Sequence, residues 1–329
     1  MKYAVWCVER AGGEFIRQES TLKPLNGKQV LVKIAASGIN PLDVKIRGGK
    51  APHAQQHLPS VLGLDMAGTV EAVGSNANQF KPGDEVYGMA GGVGGLQGTL
   101  GEYIVTDSDL LAMKPRSLSM RQAAAMPLAS ITAWEGLVDR ANVRSGQTVL
   151  VHGGAGGVGH IAVQIARSKG AEVFATVSAN KVELVQNSGA TAIDYLTTSP
   201  AEYVQQHTGG TGFDIIFDTV GGATLDASFH MAKRYTGHVL SALGWGSHSL
   251  APLSFRGATY SGVFTLHPLL SGEGRSHHGE ILKHAAALAD RGQLTPLVAG
   301  RRFSPGEMDE AFAAVEAGST GKVVVEFGI

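Results

Sequence analysis

Residues 153–159 read Gly-Gly-Ala-Gly-Gly-Val-Gly, five glycines in seven positions. Glycine weakens helices and strands. Such density points to backbone that approaches a ligand closely or takes up positive φ. Gly154, Ala155, Gly156, Gly157, Val158 and Gly159 fit the pattern G-x-G-x-x-G. A strand-like "TVLVHG" precedes the run, a helix-like "GHIAVQIARSKG" follows it, and a second strand-like "EVFATV" comes next. That is the context a dinucleotide site requires. The glycines permit a tight turn, and backbone N–H groups at the helix start can meet a pyrophosphate. The second strand ends in Thr176-Val177-Ser178-Ala179-Asn180-Lys181. An NAD site places a carboxylate here for the ribose 2′-hydroxyl, and none is present. A hydroxyl at Ser178 and an ammonium at Lys181 would instead hold a 2′-phosphate. NADPH is therefore the expected cofactor. The other reading of Lys181 is a solvated residue at the start of a helix.

The elements around this turn form a repeating pattern. From Gln147 to about Gly262, apolar runs alternate with helical segments: "TVLVHG", "EVFATV", "TAIDY", "FDIIFDTV", "HVLSAL" and "ATYSGVF". Near-continuous apolar strands separated by helices predict a parallel sheet covered on both faces. The chain before Pro115 is different. "KQVLVKIAASGIN", "MAGTVEAVG", "KPGDEVYGM" and "GTLGEYIVTDSDLLAMK" read as strands and turns. Ser119 with Gln122 three residues on predicts a capping box opening an Ala-rich helix. Helices are predicted over Gly279–Arg291 and Pro305–Ala317, with a last strand in "GKVVVEF". The predicted organisation is an α/β chain of two domains. One is formed by 1–118 with 266–329, the other by 119–265.

Bulk properties narrow the function. The chain has 329 residues, 43% of them hydrophobic, and a formal net charge of -1. No Lys/Arg run stands out, so neither nucleic acid nor an anionic membrane is the expected partner. Cys7 is the one cysteine, which rules out an internal disulfide and any Cys-x-x-Cys metal site. The N-terminal stretch has no apolar run like a signal peptide, and no run of about 18 apolar residues occurs. The expectation is a soluble cytoplasmic protein.

Many motifs in order resemble the medium-chain dehydrogenase/reductase superfamily, in its zinc-free quinone oxidoreductase branch, which is ζ-crystallin-like. They are "SGINPLDVKIRGG", "LGLDMAGTVEAVG", "KPGDEVYG", "GEYIVTDSDLLAMKP", "GAGGVG", "DTVGG", "ADRGQLTPLV" and "STGKVVVEF". The resemblance covers nearly the whole chain. It implies a GroES-like β-rich catalytic domain, to which the tail returns, and a Rossmann doubly wound parallel sheet in the middle. It also implies site residues. Asn40 would hydrogen-bond substrate or the nicotinamide ribose, and Thr132 would sit beside the nicotinamide. Ser178, Lys181 and Tyr195 would surround the adenosine phosphate. Leu243, Gly244, Val263 and Phe264 would line the nicotinamide side, and Lys322 would lie near the cofactor. Asp43 reads as a structural turn or helix residue and Tyr87 as packing.

Zinc-binding relatives carry ligands that align with Asn40, Leu64-Asp65 and a position near Leu128. Only Asp65 among these could hold zinc, and a catalytic site needs three protein ligands. His277, His278 and His284 are expected to be surface histidines, so no metal is expected. Hydride addition to a simple ketone leaves a basic alkoxide that a Lewis acid stabilises. Addition to a quinone or an enone spreads the charge, and hydroxyl or backbone donors suffice. The expected function is NADPH-dependent reduction of quinones or activated C=C bonds. The alternatives are reduction of a different carbonyl without zinc, or an NADPH-binding structural protein like the lens crystallins of this family. The apolar "ATYSGVFTLHP" suggests an edge-strand contact in a homodimer or tetramer.

Overall fold

A computed structural model describes residues 1–328. Fifteen strands and eleven α-helices are found among them. The chain divides into two compact units, Met1–Leu128 together with the chain from Leu266 on, and Ala129–Thr265.

The first unit is built on antiparallel strands. β1 (Lys2–Val8) lies between β2 (Phe15–Thr21) and β4 (Ser60–Val61) in a small sheet. The main sheet contains β3 (Gln29–Gly38), β5 (Asp65–Val73), β6 (Glu85–Met89), β7 (Tyr103–Asp107), β8 (Leu111–Met113) and β15 (Val324–Glu326). Its order is β15-β3-β5-β6-β8, with β7 also paired to β3. The tail strand β15 thus pairs directly with β3, Val324 opposite Gly38. Helix α1 (Pro41–Arg47) follows β3, and α2 (Met120–Ala124) packs on β3 and β5. That packing groups residues 119–128 with the first unit, whereas the sequence pattern put the break at 118. The Ser119–Gln122 capping box is formed.

α3 (Pro127–Trp134) leads into the second unit. There β9 (Thr148–His152), β10 (Glu172–Val177), β11 (Thr191–Asp194), β12 (Ile215–Asp218), β13 (His238–Ser241) and β14 (Thr259–Gly262) form one sheet of order β11-β10-β9-β12-β13-β14. All its pairings are parallel. Its crossovers run through α4 (Gly159–Ser168), α5 (Val182–Asn187), α6 (Pro200–Thr208), α7 (Ala223–Met231) and α8 (Ala251–Ser254). Val149, Leu150 and Val151 of central β9 are fully buried, as expected for a strand covered on both faces. α4 turns Ile161, Ala162, Val163, Ile165 and Ala166 inward. The strand order reverses between β9 and β12, and in such sheets ligands bind beyond the carboxyl ends at that point.

Back in the first unit are α9 (His267–Ser271), α10 (Arg275–Asp290) and α11 (Met308–Glu316). α10 starts four residues before the predicted Gly279. Its face carrying His278, Gly279, Ile281 and Leu282 is buried against β8 and the turn at Ser108–Leu110. His278 is therefore a core residue and not a surface histidine, while His277 and His284 are exposed.

Candidate functional site

The glycine turn leaves the carboxyl end of β9. Gly153 has φ +74°, a conformation that favours glycine. Gly154 donates from its N–H to the Thr176 carbonyl at 3.0 Å, tying the turn to β10. A Cβ on Gly154 would lie 2.5 Å from the Ala175 Cβ, and one on Gly159 would lie 2.1 Å from the Gly153 carbonyl oxygen. These two glycines close the turn against its own scaffold. Gly157 is different: a Cβ there would meet nothing within 4 Å. Its bareness serves no internal packing and leaves open space at the start of α4. No side chain caps that helix; the His160 N–H donates back to the Gly156 carbonyl at 3.1 Å, and the start of a helix uncapped by a side chain is where an anion is held.

The parallel register carries further predicted residues to the same end of the sheet. Val177 of β10 pairs with Asp194 of β11, which sets Ser178 and Tyr195 on neighbouring strand ends. Tyr195 is exposed, and the Ser178 hydroxyl donates to Asn180 Oδ1 at 2.7 Å. Lys181 closes the short 3-10 turn that begins at Ala179. Beyond β12, buried Asp218 accepts from the Val220 and Gly221 N–H groups and from the Ser241 hydroxyl. Ser241 in turn accepts from the Leu243 N–H at 3.1 Å. A Cβ on Gly244 would lie 2.2 Å from the Tyr260 hydroxyl oxygen. Val263 is buried, its N–H on the Ser241 carbonyl, and Phe264 is partly exposed, edge-on to Trp245. Through the Ser241 hydroxyl, Asp218 is tied to the loop that carries Leu243 and Gly244, and the sequence reading missed it.

His152, the last residue of β9, was missed too. Its Nδ1 lies 3.2 Å from the Thr176 hydroxyl, its carbonyl accepts from the Thr219 hydroxyl at 2.6 Å, and its Nε2 is buried without a partner. Burial pushes its pKa down to about 4, against an opposing pull from Asp218. Thr132 is buried within α3.

In the first unit, Asn40 precedes α1, and its N–H donates to Asp43 Oδ2 at 2.7 Å. Its side-chain Nδ2 donates to Asp65 Oδ2 at 2.9 Å, and its Oδ1 accepts from the Lys322 ammonium. Lys322 also donates to Asp65 Oδ2 at 3.1 Å, and the Leu128 N–H donates to Asp65 Oδ1 at 3.0 Å. Asp43 and Asp65 are fully buried, Asn40 is 2% exposed and Lys322 9%. Burial lifts the Asp43 carboxyl to about 7, with Asp65 adding to the rise and the Asn40 N–H and Lys322 opposing it. Burial also raises Asp65, more than Lys322 and the other donors lower it. Lys322 was expected near the cofactor; here its ammonium is engaged by Asn40 and Asp65. Asp65 was weighed only as a residual metal ligand, and its role as the hub of this cluster went unseen. Tyr87 is fully buried, its hydroxyl donating to the Leu282 carbonyl at 2.6 Å.

Comparisons with known proteins follow this geometry. Residues 26–116 match the alcohol dehydrogenase GroES-like domain, and residues 157–273 match the zinc-binding dehydrogenase family. The 2-methylene-furan-3-one reductase of Solanum lycopersicum is 36% identical over 90% of this chain and 71% of its own. The chloroplastic NADPH-dependent alkenal/one oxidoreductase of Arabidopsis thaliana is 34% identical over 97% of this chain and 78% of its own. The chain belongs to the medium-chain dehydrogenase/reductase superfamily. A solved structure of an alcohol dehydrogenase superfamily protein from Novosphingobium aromaticivorans superposes with a TM-score of 0.96 at 53% identity, covering 98% of this chain and 99% of that one.

The second matched family is described as zinc-binding, so the dehydrogenase/reductase frame poses a test of fit. Asn40, Leu64 and Leu128 carry no zinc-ligating group, and both carboxylate oxygens of Asp65 are engaged by donors. Among the described residues no group of three or more His, Cys, Asp or Glu side chains could hold a metal ion. This donor set does not fit a catalytic zinc. The turn at Gly157, by contrast, fits a dinucleotide. Among the described residues no helix is long and apolar enough to cross a membrane.

Proposed function

We propose that the chain is an NADPH-dependent reductase of enones and quinones that works without a metal, in the cytoplasm, as a homodimer or tetramer. One observation carries the reading. Where a metal-dependent relative would gather thiolate and imidazole ligands, this chain has an amide, an acid and an ammonium bonded to one another. A fixed ammonium and an amide donor suit a reaction whose developing charge is delocalised, as an enolate or a phenolate is. They suit a localised alkoxide less.

The backbone of Gly154–Gly159 would cradle the pyrophosphate, with Gly157 giving the room. Ser178, Lys181 and Tyr195 would take the 2′-phosphate. Leu243, Gly244, Val263 and Phe264 would line the nicotinamide, with Thr132 beside it. Bound NADPH supplies the hydride. Asn40 would donate a hydrogen bond to an acceptor oxygen. The names of the two plant relatives support the substrate class and, in one, the cofactor.

The test is single-turnover oxidation of NADPH, followed optically, with an enone, a quinone and a saturated ketone in turn. Elemental analysis of the same sample accompanies it. The expectation is rapid oxidation with the first two, none with the ketone, and no stoichiometric zinc. About one zinc per chain, lost together with activity on chelation, would overturn the metal-free reading.

A further inference from the structure

The chain builds an elaborate path for one lysine. Lys322 is held from both sides: its N–H donates to the Leu297 carbonyl and its carbonyl accepts from the Ala299 N–H. The next residue, Val323, accepts from the Ile39 N–H, one residue before Asn40. Gly321 has φ +84°, and a Cβ there would lie 2.8 Å from the Ala299 nitrogen. A Cβ on Gly38 would meet the Ala124 carbonyl oxygen at 2.2 Å and Lys322 Cε at 3.1 Å. Gly321 thus lets the chain before Lys322 close on the backbone of 297–299, and Gly38 leaves room for the lysine stem beside Asn40.

The result is a closed set of hydrogen bonds. Lys322 Nζ donates to Asn40 Oδ1 and to Asp65 Oδ2, and Asn40 Nδ2 donates to the same Asp65 oxygen. A carboxamide between a cation and an anion has one orientation. Flipping it would aim NH2 at an ammonium and a carbonyl at a carboxylate, both repulsive and both out of water. Asp65 is itself pinned by the Leu128 N–H. A primary amide carries two N–H donors, and Asp65 engages one of them.

We propose that Asp65 and Lys322 are positioning residues that lock the Asn40 carboxamide, so that Asn40 meets its ligand only as a hydrogen-bond donor. The inference rests on the reductase reading for the identity of the ligand. The group recognised is an acceptor oxygen. It belongs either to a substrate carbonyl, which gains charge as hydride arrives, or to a ribose hydroxyl of the cofactor. Lys322 on this view acts through Asn40 and not by touching the cofactor phosphates.

The first arm of the test needs no turnover. In protein labelled with 15N at asparagine, the Asn40 side-chain proton bonded to Asp65, assigned with Asn40→Ser, is expected to exchange with solvent far more slowly than those of exposed asparagines. Asp65→Asn is expected to abolish that protection. Fast exchange in the parent overturns the lock, whatever the enzyme does. The second arm compares NADPH affinity and steady-state kinetics in Asp65→Asn, Lys322→Met and Lys322→Arg. Asp65→Asn/Lys322→Met, which removes both partners of the ion pair together, covers a folding defect in either single variant. If the oxygen is the substrate's, kcat falls at least tenfold, KM and NADPH Kd stay within twofold, and arginine restores part of kcat. If it is the ribose hydroxyl, NADPH Kd weakens equally in Asp65→Asn and Lys322→Met. Weakening in Lys322→Met alone would make Lys322 a direct cofactor contact and overturn the proposal. A parent that reduces neither enones nor quinones defeats the reductase reading and leaves the exchange result standing.

Discussion

The two units satisfy their buried polar groups in different ways. The first buries charge: two carboxylates and an ammonium around Asn40, each leaning on the others. The second has one buried carboxylate at its strand ends, Asp218, satisfied by N–H and hydroxyl donors without a cation, with His152 and a turn of bare glycine backbone on the neighbouring strand. Buried ions are costly unless partnered, so the first arrangement holds one geometry at the cost of tolerance to change. The glycine turn bonds part of its backbone to its own scaffold, Gly154 to Thr176 and Gly156 to Gly153, and leaves open space at Gly157.

The largest effect should come from separating fold from binding within the turn. Gly157→Val places its side chain where nothing stands within 4 Å, at a position without positive φ. Its melting temperature should match the parent's, while NADPH affinity falls about a hundredfold or more, the equivalent of about two charge-assisted hydrogen bonds. Gly154→Val should do the reverse in kind. Its Cβ would press on Ala175, and overpacking of this sort costs about 1–3 kcal/mol of stability. Calorimetry and cofactor titration on both variants test the division. If Gly157→Val binds NADPH as the parent does, the turn is no phosphate cradle.

The next effect is smaller and concerns the charge that the second unit does present. Lys181→Ala should weaken NADPH by about ten- to a hundredfold, the range of one charge-assisted contact. NADH should bind nearly as before. Both titrations belong at one ionic strength, because an exposed contact is screened. An equal loss for both cofactors would leave Lys181 a solvated residue at a helix start.

These contrasts also explain what could be read from sequence. The turn was legible because its requirement is local: five glycines, a strand and a helix lie in consecutive residues, and the strand tip that follows carries Ser178 and Lys181. The alternation of β9 to β14 with helices was legible for the same reason. The charged cluster was not. Asn40 and Lys322 meet across 282 positions of the chain, and no periodicity links them. A weaker signal existed in Asp65, an acid set among Leu62, Leu64, Met66 and Ala67, all fully buried. An ionisable group in such a run must find a partner, though the run does not say which. His278 was not legible as buried because its neighbours His277, Gly279 and Glu280 are polar or small, and only the contacts of α10 show that it shares a face with Ile281 and Leu282.

The smallest effect is the one that sets one buried group of each unit directly against the other. Asp43 has its pKa raised to about 7 by burial, so the folded chain holds a proton there that the unfolded chain has released. That contribution is complete below the ordinary carboxylate range and is lost as pH rises through about 7. Asp65, lifted in the same direction, shares its sign. His152 has its pKa lowered to about 4, so here the unfolded chain holds the extra proton. Its contribution is complete above the ordinary histidine value and is lost as pH falls toward about 4. Between pH 5 and 8 each group alone should tilt stability by about 2 kcal/mol, in opposite senses. Asp43→Asn keeps an acceptor for the Asn40 N–H and removes one tilt, so stability should rise with pH more steeply than in the parent. His152→Gln removes the other, so stability should fall with pH more steeply. Urea unfolding at pH 5, 6, 7 and 8 on the three proteins reads both slopes. If the two variants change the slope in the same sense, the buried charge of one unit and the buried neutral imidazole of the other are not opposed, and the contrast between the units fails.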